Sequence, residues 1–483
     1  MQLDPINFWA RQRPHAIALI ESSDAATSEL SYATFDEAIN KVAMRLRTFD
    51  IPNMGIVAIQ SKSITFLYFI ERALHRMNLT TLVLPPNVLP DVSSGFLESD
   101  IFLTFEETSR NIHPKTEILS HQWMIETLKG PPVLAPNCNP RPQDIIRILI
   151  SSGTTGKPKK IPLTRSSLVH RFTLGQQIGY SGDERLLVTM GPETLAGLTA
   201  PLLCWSKGGC VTYIDNNKIY NGILRVKPNN LMISTGQLYN LINEIPDNAK
   251  PLDGLRLLVM GSTISQKIIA ETRKKLTENI YIIYGSTELG AVSFGSAEIL
   301  NIHERSVGYI LPGLDVDIVN SAGIVLPALE IGNVRIKREE VFSGYLDEEG
   351  TTSLSWQDGW FYPGDLGALS EDGLLVILGR ASEIMNLGGL KIDPLIVDEF
   401  ARTIVGVRDA AAFTIANEAG VELPWIAIVR DVDFEASQFS AIIQAKWPVL
   451  RNINLAFIDI IPRNSMMKVE RQKLKLMAIA AQK

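Results

Sequence analysis

The chain has 483 residues, 46% hydrophobic and 20% charged, with 34 glycines and 26 prolines. These are ordinary globular proportions, so collagen-like and disordered readings fail, and at about 150 residues per domain the length allows about three domains. A net charge of −6 gives no basic face for nucleic acid, and no nucleic-acid partner is expected.

Cys138, Cys204 and Cys210 are too few and too scattered for a disulfide framework or a CxxC metal site. The six histidines show no HExxH-type spacing, so no zinc is expected. The opening MQLDPINFWARQRPHAIALI lacks a basic segment followed by an apolar one, and no secretory leader is expected. FLYFIERALHRMNLTTLVL is interrupted by Glu71, Arg72 and Arg76, short of the ~18 apolar residues of a membrane span. A cytoplasmic protein is the expectation.

In chain order, 36–49 (DEAINKVAMRLRTF) has helical apolar spacing and 54–60 (MGIVAIQ) reads as a short buried strand. This alternation over 1–130 predicts α/β layers around a mainly parallel sheet. The stretch 128–143 holds five prolines and reads as extended connection. IIRILISSG (145–153), LRLLVMGS (255–262) and NIYIIYGSTE (279–288) follow, each an apolar strand-like run ending in Gly, Ser or Thr. Ligands collect at the carboxyl ends of such strands in open α/β sheets, so the three turns together define a candidate site. After about 300 the texture turns to β with many turns, and beyond about 380 comes a mixed tail of small-domain size.

The densest chemistry lies in Ser151, Ser152, Gly153, Thr154, Thr155, Gly156, Lys157, Pro158, Lys159 and Lys160. Its glycines free the backbone to curl, while hydroxyls, loop N–H groups and lysines suit phosphate oxygens. It is not a GxxxxGK[ST] loop, because the glycine spacing is shorter and Pro158 follows Lys157. In YGSTE, a strand ending with Tyr284 and Glu288 can offer a stacking face and a carboxylate for Mg²⁺. In GWFYPGDLG, Asp365 sits in a Gly-flanked turn where it can accept both hydroxyls of a ribose. Gly379–Arg380 after a strand and PRNSMMKVERQKL (462–474) complete the set. Each alone is as well read as a solvated turn, a strand exit or a surface lysine.

In this order the segments resemble the adenylate-forming superfamily of acyl-CoA synthetases, stand-alone adenylation enzymes and beetle-type luciferases. SSGTTGKPK, YGSTE, SVGYILPG, GWFYPGDLG, GR…GGLKIDP and Lys468-x-x-Arg471 carry the resemblance from about 145 to 475, and ELSYATFDEAINKVAMRLR (29–47) fits loosely. The resemblance implies a large multi-layered α/β N-terminal domain, 1–381, with mainly parallel sheets and a β-rich subdomain. A small mobile α+β domain, 382–483, would carry the catalytic lysine and turn about Ser382. It also implies a two-step reaction. A carboxylate attacks the α-phosphate of MgATP to give an acyl-adenylate and pyrophosphate, and a thiol then displaces AMP.

Carried over residue by residue, the resemblance assigns Ser151, Thr154, Thr155 and Lys157 to the β,γ-phosphates. Glu288, with Thr155, falls to Mg²⁺, Tyr284 to adenine, Asp365 to the ribose, and Arg380 to ribose and phosphate. Lys468 would bridge the carboxylate and the α-phosphate. Ser152, Gly153, Gly156, Gly261, Ser262, Gly285, Ser286 and Thr287 fill out the nucleotide site. Thr194, Gly261, Gly285, Gly388 and Gly389 fall near the acid and the thiol arm. A cation between two anions that must meet offsets their repulsion and stabilises the transition state, whatever the family.

Met467, Lys160 and Pro363 depart from the family pattern, as does MGSTIS (260–265) beside adenine. Thr194 offers no charge, which argues against an α-amino acid, because a buried ammonium wants a carboxylate. Asn386 stands where luciferases carry a second lysine. The reading favoured is an ATP-dependent acid–thiol ligase using CoA and an uncharged-tail acid. The alternatives are an enzyme loading an acyl carrier protein's phosphopantetheine and a degenerate, non-catalytic nucleotide binder.

Overall fold

A computed structural model describes residues 4–86, 98–105, 113–134, 138–151, 159–175, 178–214, 218–338, 344–346, 355–387, 390–417, 421–464 and 467–480. Contacts divide the chain into two compact units, Met1–Asp315 with Ile336–Phe361, and Val316–Arg335 with Tyr362–Lys483. The segment 382–483 lies wholly within the second.

The first unit is layered α/β. Its helix Tyr32–Leu46 starts where the Ser31 hydroxyl accepts the Thr34 N–H. It buries Phe35, Ala38, Ile39, Val42, Ala43 and Leu46, the three- and four-residue spacing of one helical face. One sheet runs parallel from Ile17–Ser22 through Cys210–Ile214, Arg185–Val188, Asn230–Ser234 and Arg256–Met260 to Ile280–Ser286. Antiparallel neighbours, Thr27–Ser31 and Gly290–Ser296, flank that run. A second, six-stranded sheet is parallel from Thr116–Ile118 through Ile101–Thr104, Ile56–Gln60 and Thr80–Val83 to Ile145–Ser151, and closes on antiparallel Lys159–Thr164. Strands covered on both faces read as continuous apolar runs, as in Leu257–Leu258–Val259, all buried.

The three strand-to-turn segments do not share one sheet. Arg256–Met260 and Ile280–Ser286 are parallel neighbours, whereas Ile145–Ser151 belongs to the other sheet. Hydrophobic runs specify strands but not which sheet they join. The proline-rich stretch is helical only as far as Lys129, and its described residues 131–134 and 138–143 carry neither helix nor strand.

In the second unit, Asp365–Leu369 pairs antiparallel with Leu374–Arg380, and on its other side Gly367 and Leu366 pair antiparallel with Gly332 and Asn333. A three-stranded sheet follows, with Val407–Ala416 antiparallel to Glu422–Arg430 and Asn454–Phe457 parallel to the latter. Alternate residues feed two cores, as the pleat requires. Ala410, Ala412, Ile426 and Ile428 pack with Val397, Phe439 and Ile443 of two helices. Ala411, Phe413, Trp425 and Ala427 pack with Leu474 and Ala478 of the helix Arg471–Ala480. Among the described residues no helix is long and apolar enough to cross a membrane.

Candidate active site

In the first unit, Met260 lies opposite Ile283 in parallel register, so the chain leaves both strands at the same edge of the sheet. Tyr284, Gly285 and Ser286 end their strand, Thr287, Glu288 and Leu289 turn, and the chain returns antiparallel from Gly290. A Cβ on Gly285 would sit 2.2 Å from the Gly290 carbonyl oxygen, so the hairpin itself demands glycine there. The Ser286 hydroxyl accepts the Leu289 N–H at 3.2 Å and shapes the same turn. Gly261, at φ +100°, is exposed, and the Ser262 carbonyl accepts the Thr235 hydroxyl at 3.0 Å.

Glu288 is half-buried, and its Oε1 accepts the Tyr345 hydroxyl at 2.8 Å. The Lys159 ammonium lies 4.7 Å from the centre of the Tyr345 ring, a cation–π contact. Lys159 is the register partner of Ser151, so the two residues bounding 152–158 are paired. Ser152, Gly153, Thr154, Thr155, Gly156 and Lys157 themselves lie outside the described residues. The series Lys159–Tyr345–Glu288 thus links that segment's exit in one sheet to the strand end in the other. Lys160 is engaged elsewhere, its ammonium 2.9 Å from Glu98.

Two buried arginines brace the Glu288 turn. Arg171 donates to the Glu288 carbonyl, and Arg338 donates to the Leu289 carbonyl and, at 2.9 Å, to that of His170. Burial and the Arg338 charge pull Arg171 down to about 9, with Glu288 opposing, and burial pulls Arg338 down to about 10. Thr194 caps the helix Leu195–Ser206: its hydroxyl accepts the Gly197 N–H at 3.0 Å and donates to the Gly191 carbonyl at 2.8 Å.

The second unit holds the other named residues. Asp365 and Arg380 are register partners across a hairpin, and Arg380 Nε lies 3.1 Å from Asp365 Oδ1. The other end of the guanidinium donates to the Pro363 carbonyl. Asp365 is buried and Arg380 half-buried. Lys468, also half-buried, is bonded to Asn464 in both directions: Asn464 Oδ1 accepts the Lys468 N–H at 3.0 Å and the Lys468 carbonyl accepts the Asn464 N–H at 2.9 Å. Burial lowers the Lys468 pKa from 10.5; Glu383 and Asp365 oppose this, while Arg380 and Arg471 add to it. Asp365, Arg380 and Lys468 therefore share one electrostatic neighbourhood. Ser382 is exposed in the turn after Arg380. Gly388 and Gly389 lie outside the described residues, between the paired Leu387 and Leu390.

Sequence reasoning missed Tyr345, Arg171, Arg338 and Glu383. Tyr345 reaches Glu288 across 57 residues, and nothing local marks it. Arg171 follows Leu168 by three residues in a helix and carried no clear local signal either.

The fold is that of adenylate-forming enzymes. o-Succinylbenzoate CoA synthetase (MenE) from Bacillus subtilis, solved with its acyl-adenylate intermediate, matches at a TM-score of 0.84 and 21% identity over 98% of both chains. The same protein with ATP and magnesium gives 0.81 and 21% over 98% of this chain and 99% of that one. The chain belongs to the AMP-binding enzyme family, whose model matches residues 6–346. A medium/long-chain-fatty-acid–[acyl-carrier-protein] ligase, FadD10 of Mycobacterium tuberculosis, is 25% identical over 99% of this chain and 95% of its own. The 2-succinylbenzoate–CoA ligase of Bacillus pumilus is 25% identical over 68% of each. The class is an AMP-forming acid–thiol ligase.

Proposed function

We propose that the chain activates an uncharged-tail organic acid, aliphatic or aromatic, and passes its acyl group to CoA. The observation that carries the residue assignments is the shared neighbourhood of Asp365, Arg380 and Lys468. A paired carboxylate there would accept ribose hydroxyls, with Arg380 3.1 Å from it and the Lys468 charge felt at the same place for the phosphate.

In the first half-reaction a carboxylate oxygen of the acid attacks the α-phosphorus, the bond to the pyrophosphate oxygen breaks, and acyl-AMP forms. Lys468 holds the two anions together, and its positive charge offsets their repulsion as the new bond forms. Arg380 orients Asp365 toward the ribose. In the second half-reaction the thiolate attacks the acyl carbonyl and AMP leaves as the phosphate anion. We assign the thiol arm to Gly388 and Gly389, and the domain boundary to 381/382 with Ser382 as pivot; Ser382 suits this in being exposed within a turn.

Glu288 fits Mg²⁺ by its chemistry. It is a single half-buried carboxylate, and Mg²⁺ is ordinarily held by one or two carboxylates with substrate phosphates supplying the rest. No group of three or more candidate ligands occurs among the described residues. Glu288, with Thr155, would hold the ion, which neutralises polyphosphate charge when bound. Ser151, Ser152, Gly153, Thr154, Gly156 and Lys157 would hold the β,γ-phosphates, and Tyr284, Gly285, Ser286, Thr287, Gly261 and Ser262 the adenine side. With its hydroxyl committed to the helix cap, Thr194 would contribute its methyl group and shape to acid recognition.

A second reading, a carrier-protein phosphopantetheine as acceptor, is favoured by the FadD10 match over nearly the whole chain. A cytoplasmic site of action is part of the proposal, since the reaction consumes ATP. ATP–pyrophosphate exchange over a panel of acids tests it, followed by CoA or holo-carrier protein offered with the active acid. No exchange with any acid would leave the non-catalytic alternative standing.

A further inference from the structure

The strand Ile145–Ser151 is an apolar run, IIRILIS, broken by Arg147, whose side chain is fully buried. The guanidinium makes two directed contacts. Nη1 donates to Glu71 Oε1 at 2.8 Å, and Nη2 donates to the Pro192 carbonyl. Arg72 Nη2 stands 3.3 Å from the same Glu71 oxygen. Glu71 Oε2 and Arg147 Nε are buried without a hydrogen-bond partner among the described residues. Two buried cations thus share one incompletely satisfied carboxylate, an arrangement that well-packed apolar residues often equal or better in stability. What an apolar residue could not supply is the donor to Pro192.

Pro192 sits in a tight turn. The Gly191 carbonyl accepts the Thr194 N–H at 3.0 Å and the Thr194 hydroxyl at 2.8 Å. A Cβ on Gly197 would lie 2.0 Å from the Gly191 carbonyl oxygen, so the following helix closes directly on the turn. The Tyr68 hydroxyl reaches the Gly197 carbonyl at 3.4 Å and shares a 2.6 Å hydrogen bond with Tyr213. Tyr68 and Glu71 lie three residues apart on the helix Ile64–Arg76, so that helix holds the turn twice, through Tyr68 and through Glu71–Arg147. All these residues belong to the first unit.

We infer that Arg147, aimed by Glu71, is a positioning residue for the acid. It fixes the 191–194 turn, and Thr194 with it, relative to the strand that ends in Ser151. The inference rests on the proposed reading of Thr194 as acid-side and of 151–157 as nucleotide-side. Arg147 precedes Ser151 by four residues on one strand, so a single side chain ties the place of the acid to the place of the phosphate. Reacting groups that must meet lose rate steeply when one is misplaced, by about 10²-fold for about 1 Å.

The test is ATP–pyrophosphate exchange by the full chain with its best acid and with homologues one and two methylenes longer and shorter. Wild type is compared with Arg147→Lys, which keeps a charge for Glu71 and gives up the second arm of the fork. In the variant kcat/KM for the best acid should fall about tenfold to a hundredfold, and the preference among the acids should shrink. KM for ATP and calorimetric AMP affinity should hold. A purely structural role would lower the melting temperature and weaken both substrates together, leaving the order of acids as it was. Wild-type preference and kcat/KM, or equal loss for acid and nucleotide, overturns the inference. Should Arg147→Lys not fold, Arg147→Met decides, since it leaves Glu71 its neighbour Arg72. A flattened acid preference with AMP binding intact supports the role, and wild-type preference overturns it. A wild-type chain that shows no exchange with any acid overturns the proposed function as well as the inference.

Discussion

Arg380 Nε stands 3.1 Å from Asp365 Oδ1, and the two residues face each other as register partners in one hairpin. The arginine's other end donates to the Pro363 carbonyl, so the guanidinium is held at two points and presents the buried carboxylate in one orientation. Gly379, at φ +129°, lets the strand twist just before Arg380, and its missing Cβ leaves 3.3 Å to the Asp393 carboxyl carbon.

That arrangement predicts a separable effect on nucleotide affinity. Asp365→Asn keeps the shape but turns one acceptor oxygen into a donor. AMP affinity, read by calorimetry, should fall about tenfold or more, the worth of a charge-assisted bond. Inorganic pyrophosphate, which has no ribose, should bind as before. Equal loss of both ligands would remove Asp365 from the ribose.

Met467 has φ +60°, a left-handed conformation that side-chain-bearing residues adopt at a cost of roughly 1–2 kcal/mol. Two hydrogen bonds hold it there. Met467 N–H donates to the Asn464 carbonyl at 2.9 Å, and Arg463 donates to the Met467 carbonyl at 3.0 Å. Met467→Gly should relieve that strain, less about 0.5–1 kcal/mol for the greater freedom of glycine in the unfolded chain. A melting temperature that is level or modestly raised is expected. Met467→Val, β-branched, should lower it clearly. Equal melting temperatures for the Val variant and the wild type would count against the strain.

Met467 also marks how far local sequence reaches. Its departure from the family pattern was visible in the chain, but its left-handed backbone was not, because φ there follows from hydrogen bonds to Asn464 and Arg463. The strands ending in Ser151, Met260 and Ser286 were legible because apolar runs bounded by Gly and Ser are local signals. Their division between two sheets was not, since that depends on pairing across many residues. Asp365, Arg380 and Lys468 could be named from short motifs. Tyr345 and Arg171 reach Glu288, and Arg338 reaches Leu289, through long-range contacts that leave no spacing to read. Thr194 shows the opposite limit: a residue singled out for recognition has its hydroxyl occupied by a helix cap.

Arg471, noticed only as the partner of Lys468 in a Lys-x-x-Arg pattern, ties the second unit together. It reaches Asp398 at 2.7 Å and the Ala412 carbonyl at 3.0 Å, with Glu383 at 3.5 Å. Asp398 in turn accepts the Ala412 N–H at 2.6 Å. Both charged side chains are buried. Arg471→Ala would leave Asp398 without its partner at a cost of about 3–5 kcal/mol, visible as a large drop in denaturant midpoint. Removing both ends, Arg471→Met with Asp398→Leu, should cost much less than the single change. A double variant as unstable as the single one would contradict this.

Lys468 joins charge to chemistry. Burial lowers its pKa below 10.5, Arg380 and Arg471 push the same way, and Glu383 and Asp365 push back. Only the protonated amine can bridge two anions, so acid-dependent ATP–pyrophosphate exchange should fail on the alkaline side at a pH below the ordinary lysine value. Between the folded and unfolded pKa values the unfolded chain binds more protons, so this residue makes stability rise with pH across that window. Lys468→Met should flatten that slope. Lys468→Ala should cut exchange by about 10²–10³-fold, the loss of one preorganised charge in the transition state. Thiolysis of a supplied acyl-adenylate should persist in the same variant, because that step has no second anion to bridge. Exchange that survives in Lys468→Ala would move the bridging role to another cation.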